Sequence, residues 1–239
     1  MFNKKILAAA AAAAAISGQA WAGQTEAGAA RMIGEALRDE FRPESVSVTV
    51  ADGARRAWAE CLGADISGIR IKEVRLDAVI DPAGVESARS GEDIMSCIES
   101  SRGEITIAER DVNEYFERNG GASGFSSLRF DFTPNGYRAK GRFEAELLVV
   151  KLDLNLEAEG RLGLRSDGVY LEDTILYAEG AKQSDSITEL VTSKVNPLLS
   201  FSNIPFPVEF SSIKMSGSEA TMTGNPEKPG KGERWSWNR

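Results

Sequence analysis

Histidine is missing from this chain of 239 residues. Its absence removes the Ser-His-Asp triad, histidine metal ligation and the commonest general base. Cysteine is scarce: Cys61 and Cys97 are the whole complement, too few for a four-thiolate zinc site. Tryptophan is sparse as well, with only Trp58 between Trp21 and the C-terminal Trp235 and Trp237. With 36 acidic residues, carboxylate pairs are inevitable. None stands on an aromatic stretch of the kind that would mark a glycosidase site. Basic clusters are lacking too. The net charge is −8, which disfavours phosphate contacts and hence nucleic acid as a partner. There is no EF-hand spacing and no phosphate-binding glycine motif. No metal or cofactor is expected.

One catalytic pattern is present. Ser211-Ser212-Ile213-Lys214 fits S-x-x-K. That motif works with an S-D-N and a K-T-G, and the chain has neither. Ser211 also falls in a strand-like stretch, where residues i and i+3 face opposite ways. The Ser211/Lys214 match reads as coincidence, and the chain as a non-enzyme.

The N-terminus carries the firmest signal. Lys4 and Lys5 precede an uncharged apolar run from Ile6 to Ile16, and Ala20-Trp21-Ala22 is a small-x-small cleavage site. These three zones read as a signal peptide over residues 1–22, cut between Ala22 and Gly23. The run is too short for a transmembrane helix, which needs about 20 apolar residues. No later stretch is long and apolar enough to cross a membrane. The expected location is periplasmic or otherwise extracytoplasmic. Removing residues 1–22 takes away two lysines and no acid, so the net charge becomes −10. An acidic protein of this kind is not drawn to anionic headgroups, so any lipid is gripped by its tails. An oxidising compartment favours a Cys61–Cys97 disulfide, which would stabilise by about 3–4 kcal/mol in the chain-entropy model. The alternative is two buried free thiols.

Along the rest of the chain, Ala29, Met32, Ile33, Ala36, Leu37 and Phe41 recur at helical spacing over 27–41. Val46, Val48 and Val50 alternate as a strand, and Asp52-Gly53 makes a turn. Residues 66–80 form a strand region whose apolar parity changes near Lys72-Glu73, which implies a bulge. Residues 83–100 read equally as helix or loop. Thr106 and Glu109 stand at capping-box spacing before a short helix from Ala108 to Arg118. The glycine- and serine-rich stretch 119–127 divides two halves, 23–118 and 125–224. Alternation is clearest in the second half, where Pro134-Asn135-Gly136 and Ser166-Asp167-Gly168 mark turns. Apolar parity shifts at Leu147-Leu148, so residues 137–158 are one curled strand or two. Ser186 and Glu189 suggest a second capping box, before a helix that Pro197 kinks or ends. Residues 225–239 look disordered.

Three stretches carry a family resemblance. One is Ile105-Thr106-Ile107-Ala108-Glu109-Arg110-Asp111-Val112-Asn113, similar to an I-T-x-x-D-L-N segment, with Arg110 in place of an acidic residue. The second is the pair of turn-and-return stretches, Asn135-Gly136 to Gly141 and Asp167-Gly168 to Gly180. The third runs from Ile204-Pro205-Phe206-Pro207-Val208 to Gly224. Together they resemble the LmeA-like family of phospholipid-binding proteins. The resemblance implies an α+β fold like that of tubular lipid-binding domains: an elongated, strongly curved antiparallel sheet with two or three helices packed on it, spanning 23–224 as one domain. It also implies an apolar groove that binds or carries phospholipid or another acylated envelope molecule. Candidate lining residues are Phe130, Phe132, Phe143, Leu152, Leu154, Leu190 and Leu198. The alternative is a structural or interaction module of the cell envelope, with a protein partner and a filled core.

Overall fold

The computed structural model describes residues 25–147 and 150–239. The predicted signal peptide, with Ala22 and Gly23, lies outside the described residues. The fold is α+β: among the described residues there are four α-helices and two open antiparallel sheets, in place of the single curved sheet expected. The first sheet takes its strands from both ends of the chain, and the second takes its strands from residues 125–200.

Helix α1 covers residues 25–41. Ala29, Ala30, Ile33, Leu37 and Phe41 are its buried stripe, at the spacing that puts them on one face. Strands β1 (Ser45–Ala51), β2 (Arg56–Ile66) and β3 (Ile69–Ile80) follow as an antiparallel meander. The parity change predicted near Lys72 is real and is shared by two strands. Cys61 faces Val74 and Leu62 faces Glu73, the Gly63–Lys72 rung is missing, and Ala64 then faces Ile71. Gly63 has φ +65°, a conformation open to glycine. It lets β2 turn its apolar side with β3.

Asp81 caps helix α2 (Pro82–Arg89), accepting from the amides of Ala83 (2.9 Å) and Gly84 (3.1 Å). A 3₁₀ turn (Ile94–Cys97) leads into β4 (Ile98–Ala108). The helix-or-loop reading of 83–100 thus resolves into α2, a turn and the start of a strand. Helix α3 (Glu109–Asn119) comes next. It has no side-chain cap, because the proposed capping residue Thr106 is still in β4. Glu109 instead accepts from the Phe132 amide at 2.7 Å.

The second sheet is built from β5 (Phe125–Thr133), β6 (Gly136–Leu147), β7 (Val150–Arg165) and β8 (Gly168–Ala178). The parity shift at Leu147 marks the boundary between β6 and β7, which pair in register from Tyr137–Gly160 to Leu147–Val150. A short β9 (Ala181–Lys182) extends β8, and helix α4 (Asp185–Thr192) follows. Its N-cap is Ser184, not Ser186, and the Ser184 side chain makes no capping bond. Asn196–Pro197 is cis, and β10 (Leu199–Ser200) closes this sheet, in the order β10-β8-β7-β6-β5.

The chain then returns to the first sheet. Residues 201–210 form a strap over its apolar face. Glu209 bridges Arg102 in parallel, the Gly103 amide donates to the Glu209 carbonyl (3.2 Å), and the Ser101 hydroxyl donates to the Pro207 carbonyl. Strands β11 (Ser212–Ser216) and β12 (Glu219–Thr223) add to β4.

The tail is a correction. Residues 225–239 are not disordered. They cross the polar face of the first sheet, where Asp77 takes Arg56 (2.6 Å), Arg102 (2.9 Å) and the Glu227 amide (3.2 Å). They end as β13 (Glu233–Asn238), paired with β1 from Val50–Glu233 to Ser45–Asn238. The order is β11-β12-β4-β3-β2-β1-β13. The tail ties one side of this sheet to the other, and the two tryptophans that looked out of place for a disordered segment face Val48 and Val46.

The predicted disulfide is also corrected: Cys61 and Cys97 are buried free thiols. Cys61 faces Val74, whereas Cys97 directly precedes Ile98, which faces Ile80. Six residues of β3 separate those levels, about 20 Å along an extended strand, far beyond the Cα separation a disulfide allows.

Candidate apolar site

Each sheet has one apolar face, and each face has its own cover. On the first sheet the cover is α1 and the strap. Phe41 and Phe206 meet edge-on with ring centroids 6.4 Å apart, and Phe201 packs on Phe210 at 4.9 Å with the rings tilted by 40°. Gly103 lets the strap approach, since a Cβ there would sit 2.6 Å from the Phe210 ring. Beneath this cover a wholly apolar cavity of about 30 Å³ remains, room for about one water molecule. The strap is fixed by Ile204, Phe206, Val208 and Phe210, which line this cavity, and by backbone bonds to β4.

The second sheet presents Phe125, Leu128, Phe130, Tyr137, Leu156 and Leu176 to α4. This is also nearly filled, with a cavity of about 30 Å³. Phe116 of α3 covers it at Phe130, ring centroids 5.4 Å apart, and the cover beside β8 is slighter. Helix α4 has eight residues, and Val191 is the buried one. Ile187 and Leu190 on the same helix are 45% and 60% exposed. Asn196 anchors the following turn, accepting from the Leu171 amide (2.7 Å) and donating to its carbonyl (3.1 Å). Burial pushes the Tyr137 hydroxyl up to about 12, although its bond to Thr174 (2.6 Å) acts the other way.

The predicted lining residues fall in different places. Phe130 and Phe132 are buried on β5. Phe143 packs on Phe125 with centroids 5.1 Å apart and faces Leu154 across the β6–β7 ladder. Leu198 is buried beside β8, its amide donating to the Val169 carbonyl. Leu190 is a correction: it lies on the outer side of α4, in solvent. The α4 stripe needs only Val191 to meet the sheet, and Leu190 is 100° from it on the helix. The side chain of Leu152 lies outside the described residues. Sequence reading missed Phe125 and Leu128, which stood in or next to a supposed loop, and Val191 as the helix's contact.

A wide concavity of about 680 Å³ is on the opposite face of the second sheet. It is open and lined by Arg129, Asp131, Arg138, Lys140, Glu157 and Glu159. Alternating charge of this kind is a solvated sheet face, with Lys140 paired to Glu157 at 2.9 Å. The Ser211 hydroxyl donates to the Thr223 carbonyl at 2.9 Å, not to Lys214. Among the described residues, no group of three or more His, Cys, Asp or Glu could hold a metal ion, and no helix is long and apolar enough to cross a membrane.

The chain is thus an α+β protein of two open sheets, each with a covered apolar face. No family model matches it, and neither the curated proteins nor the solved structures give a match.

Proposed function

We propose that the protein is exported, loses residues 1–22, and binds the acyl chain of a phospholipid or similar envelope molecule between α4 and the second sheet. The observation that carries this is the imbalance of the two covers. The first apolar face is held under α1 and a bonded strap. The second, richer in aromatics, is covered on the β5 side by Phe116 of α3, 5.4 Å from Phe130, but beside β8 by the eight residues of α4 with one buried side chain. Lifting α4 exposes Val191 and its contacts, at about 1.5–3 kcal/mol for that side chain. An entering acyl chain would rebury the same surface. The closed site has no room for a chain, so α4 must move for binding, as a tubular lipid-binding domain with a lid would require.

The test is native mass spectrometry and solvent extraction of the chain purified from the envelope of an expressing bacterium. Expected are a product starting at Gly23 and a bound or loadable acyl lipid. Failure to copurify or load any acyl lipid sinks the reading. One observation favours a second: both cores are filled, as a ligand-free structural module of the envelope would have them. That reading gains if pull-down from envelope extracts yields one stoichiometric protein and no lipid.

A further inference from the structure

Four large apolar side chains stand exposed among the described residues: Leu62, Val79, Ile187 and Leu190. Leu62 and Val79 lie on the first sheet, opposite Glu73 and Arg56, about 20 Å apart along β2. Ile187 and Leu190 are neighbours on α4, 45% and 60% exposed, and about 60° from each other around its axis. The same helix carries Asp185 and Glu189. Each acid lies about 100° or more from both apolar residues. The outer side of α4 is therefore divided into an apolar flank and an acidic one.

The way α4 is held adds a second observation. Before the helix, the Gln183 amide donates to the Leu176 carbonyl at 2.8 Å; after it, Asn196 holds Leu171. Both anchors are on β8. Among the described residues, no backbone group of 184–195 bonds to the sheet between them. The helix can thus tilt away on two fixed ends. Tilting would join Val191 and Val195, which line the cavity beneath, to Ile187 and Leu190 as one continuous apolar surface.

We propose that the apolar flank of α4 docks on a phospholipid bilayer, and that this contact draws the helix off the second sheet and opens the acyl site. This rests on the acyl-binding reading and adds to it the surface at which the ligand is met. Surface and site are continuous: α4 covers the site with Val191 and presents Ile187 and Leu190 outward. Size also selects the bilayer. Two apolar side chains on eight residues fall far short of the roughly 800 Å² per partner of a stable protein interface. A bilayer, in contrast, accepts the apolar side of a helix at its headgroup boundary. Hydrocarbon also favours the lifted helix over the closed one, because only then do Val191 and Val195 reach it. That difference is what shifts the equilibrium, and in water the cover stays closed. The acidic net charge gives no attraction to anionic lipid, so docking is apolar and insensitive to salt.

The test compares two routes of loading for the chain purified from the envelope of an expressing bacterium. One ligand is a pyrene-labelled fatty acid, monomeric in solution. The other is pyrene-labelled phosphatidylcholine held in phosphatidylcholine vesicles. The double variant Ile187→Asp, Leu190→Asp is expected to load the fatty acid like wild type. It should extract the vesicle lipid at least about tenfold more slowly, with two half-exposed apolar side chains kept from hydrocarbon. Ile187→Ser with Leu190→Ser, which adds no charge, is expected to match it, and circular dichroism checks that both keep their fold. Leu62→Asp, at an exposed position on β2, is expected to behave as wild type on both routes. Extraction at the wild-type rate by either double variant overturns the proposal, as does salt-sensitive extraction. Equal loss on both routes also overturns it, since Ile187 and Leu190 would then belong to the acyl site. So does wild-type self-association that the double variants abolish, or a wild type that takes up the fatty acid but no vesicle lipid. A wild type that loads neither ligand ends the acyl-binding reading and this inference together, so the two failures read out separately.

Discussion

Asn113 on α3 satisfies both backbone groups of Phe130 on β5: its side-chain oxygen accepts from the Phe130 amide at 2.7 Å, and its nitrogen donates to the Phe130 carbonyl at 2.9 Å. The side chain stands in for a neighbouring strand at an edge that would otherwise be open. One turn earlier, Glu109 does the same for the Phe132 amide. Helix α3 thereby joins the two sheets, because Asp111, its side chain fully buried, is held by Arg70 from the first sheet at 3.2 Å. Replacing Asn113 by Ala leaves a buried amide and carbonyl without partners. The expected cost is about 3 kcal/mol, a fall of about 6–12 °C in Tm for a domain of this size. Thermal denaturation of N113A checks it, and Asn113→Asp, which keeps the acceptor but loses the donor, should fall between.

Gly34 lies in the middle of α1, where alanine is ordinarily worth about 1 kcal/mol more than glycine. Here the sign reverses. A Cβ on Gly34 would lie 2.1 Å from Cε3 of Trp235, so G34A must push the indole away and loosen β13 from β1. The expected result is a less stable protein with red-shifted tryptophan emission and faster proteolytic loss of the tail. Combining G34A with Trp235→Ala should cost less than the sum of the two single changes, because they share one contact. Additive effects would show that Gly34 is not there for Trp235.

What the sequence made legible follows from where local pattern and packing agree. The stripe of α1 and the alternation of β5 to β8 with their Asn135-Gly136 and Asp167-Gly168 turns are of that kind. β2 was unread because its core side is Ala57, Ala59 and Cys61, kept small under α1 and the strap, while Arg56, Trp58 and Glu60 serve the tail. β4 was unread over 98–104 because Ser101 and Gly103 are small and polar to admit the strap. β13 pairs with residues some 190 positions away, and no local pattern can report such a partner. The candidate site was half visible: Phe130 and Phe143 stood out, but which helix covers them, and by which residue, depends on the sheet's curvature.

Three acidic groups are held neutral by the fold. Burial pushes the Cys61 thiol up to about 12; burial and then Asp81 push Cys97 to about 11; burial pushes Tyr137 to about 12. In the unfolded chain these groups release protons at lower pH, so between the two values the folded state holds more protons. Stability is therefore whole below about pH 8.5 and falls as pH rises toward 11 and 12, by up to about 1.4 kcal/mol per pH unit for each group in its window. Urea denaturation between pH 7 and 10.5 should show this decline, and Cys61→Ala should make it shallower. A flat profile would contradict the burial of the thiols. Native protein should also react slowly with thiol reagents at neutral pH, since the thiolate is the reactive form.

The last expectation concerns α4. A helix of eight residues is not stable alone in water, and this one is tied to its sheet through Val191. Helix α1, with Ala29, Ala30, Ile33, Leu37 and Phe41 buried, opens only when the first sheet does. Hydrogen exchange should therefore separate them. Amides of α4 are expected to exchange through a local opening of about 2–3 kcal/mol, and those of α1 near the global limit. Val191→Ala should speed exchange in α4 by about tenfold, from the lost burial of two methyl groups, and leave α1 unchanged. Ile187→Asp and Leu190→Asp, at exposed positions, should leave both helices and the global stability within about 0.5 kcal/mol of wild type. If α4 is as protected as α1, it is not a lid, and an acyl chain has no entry to the face it covers.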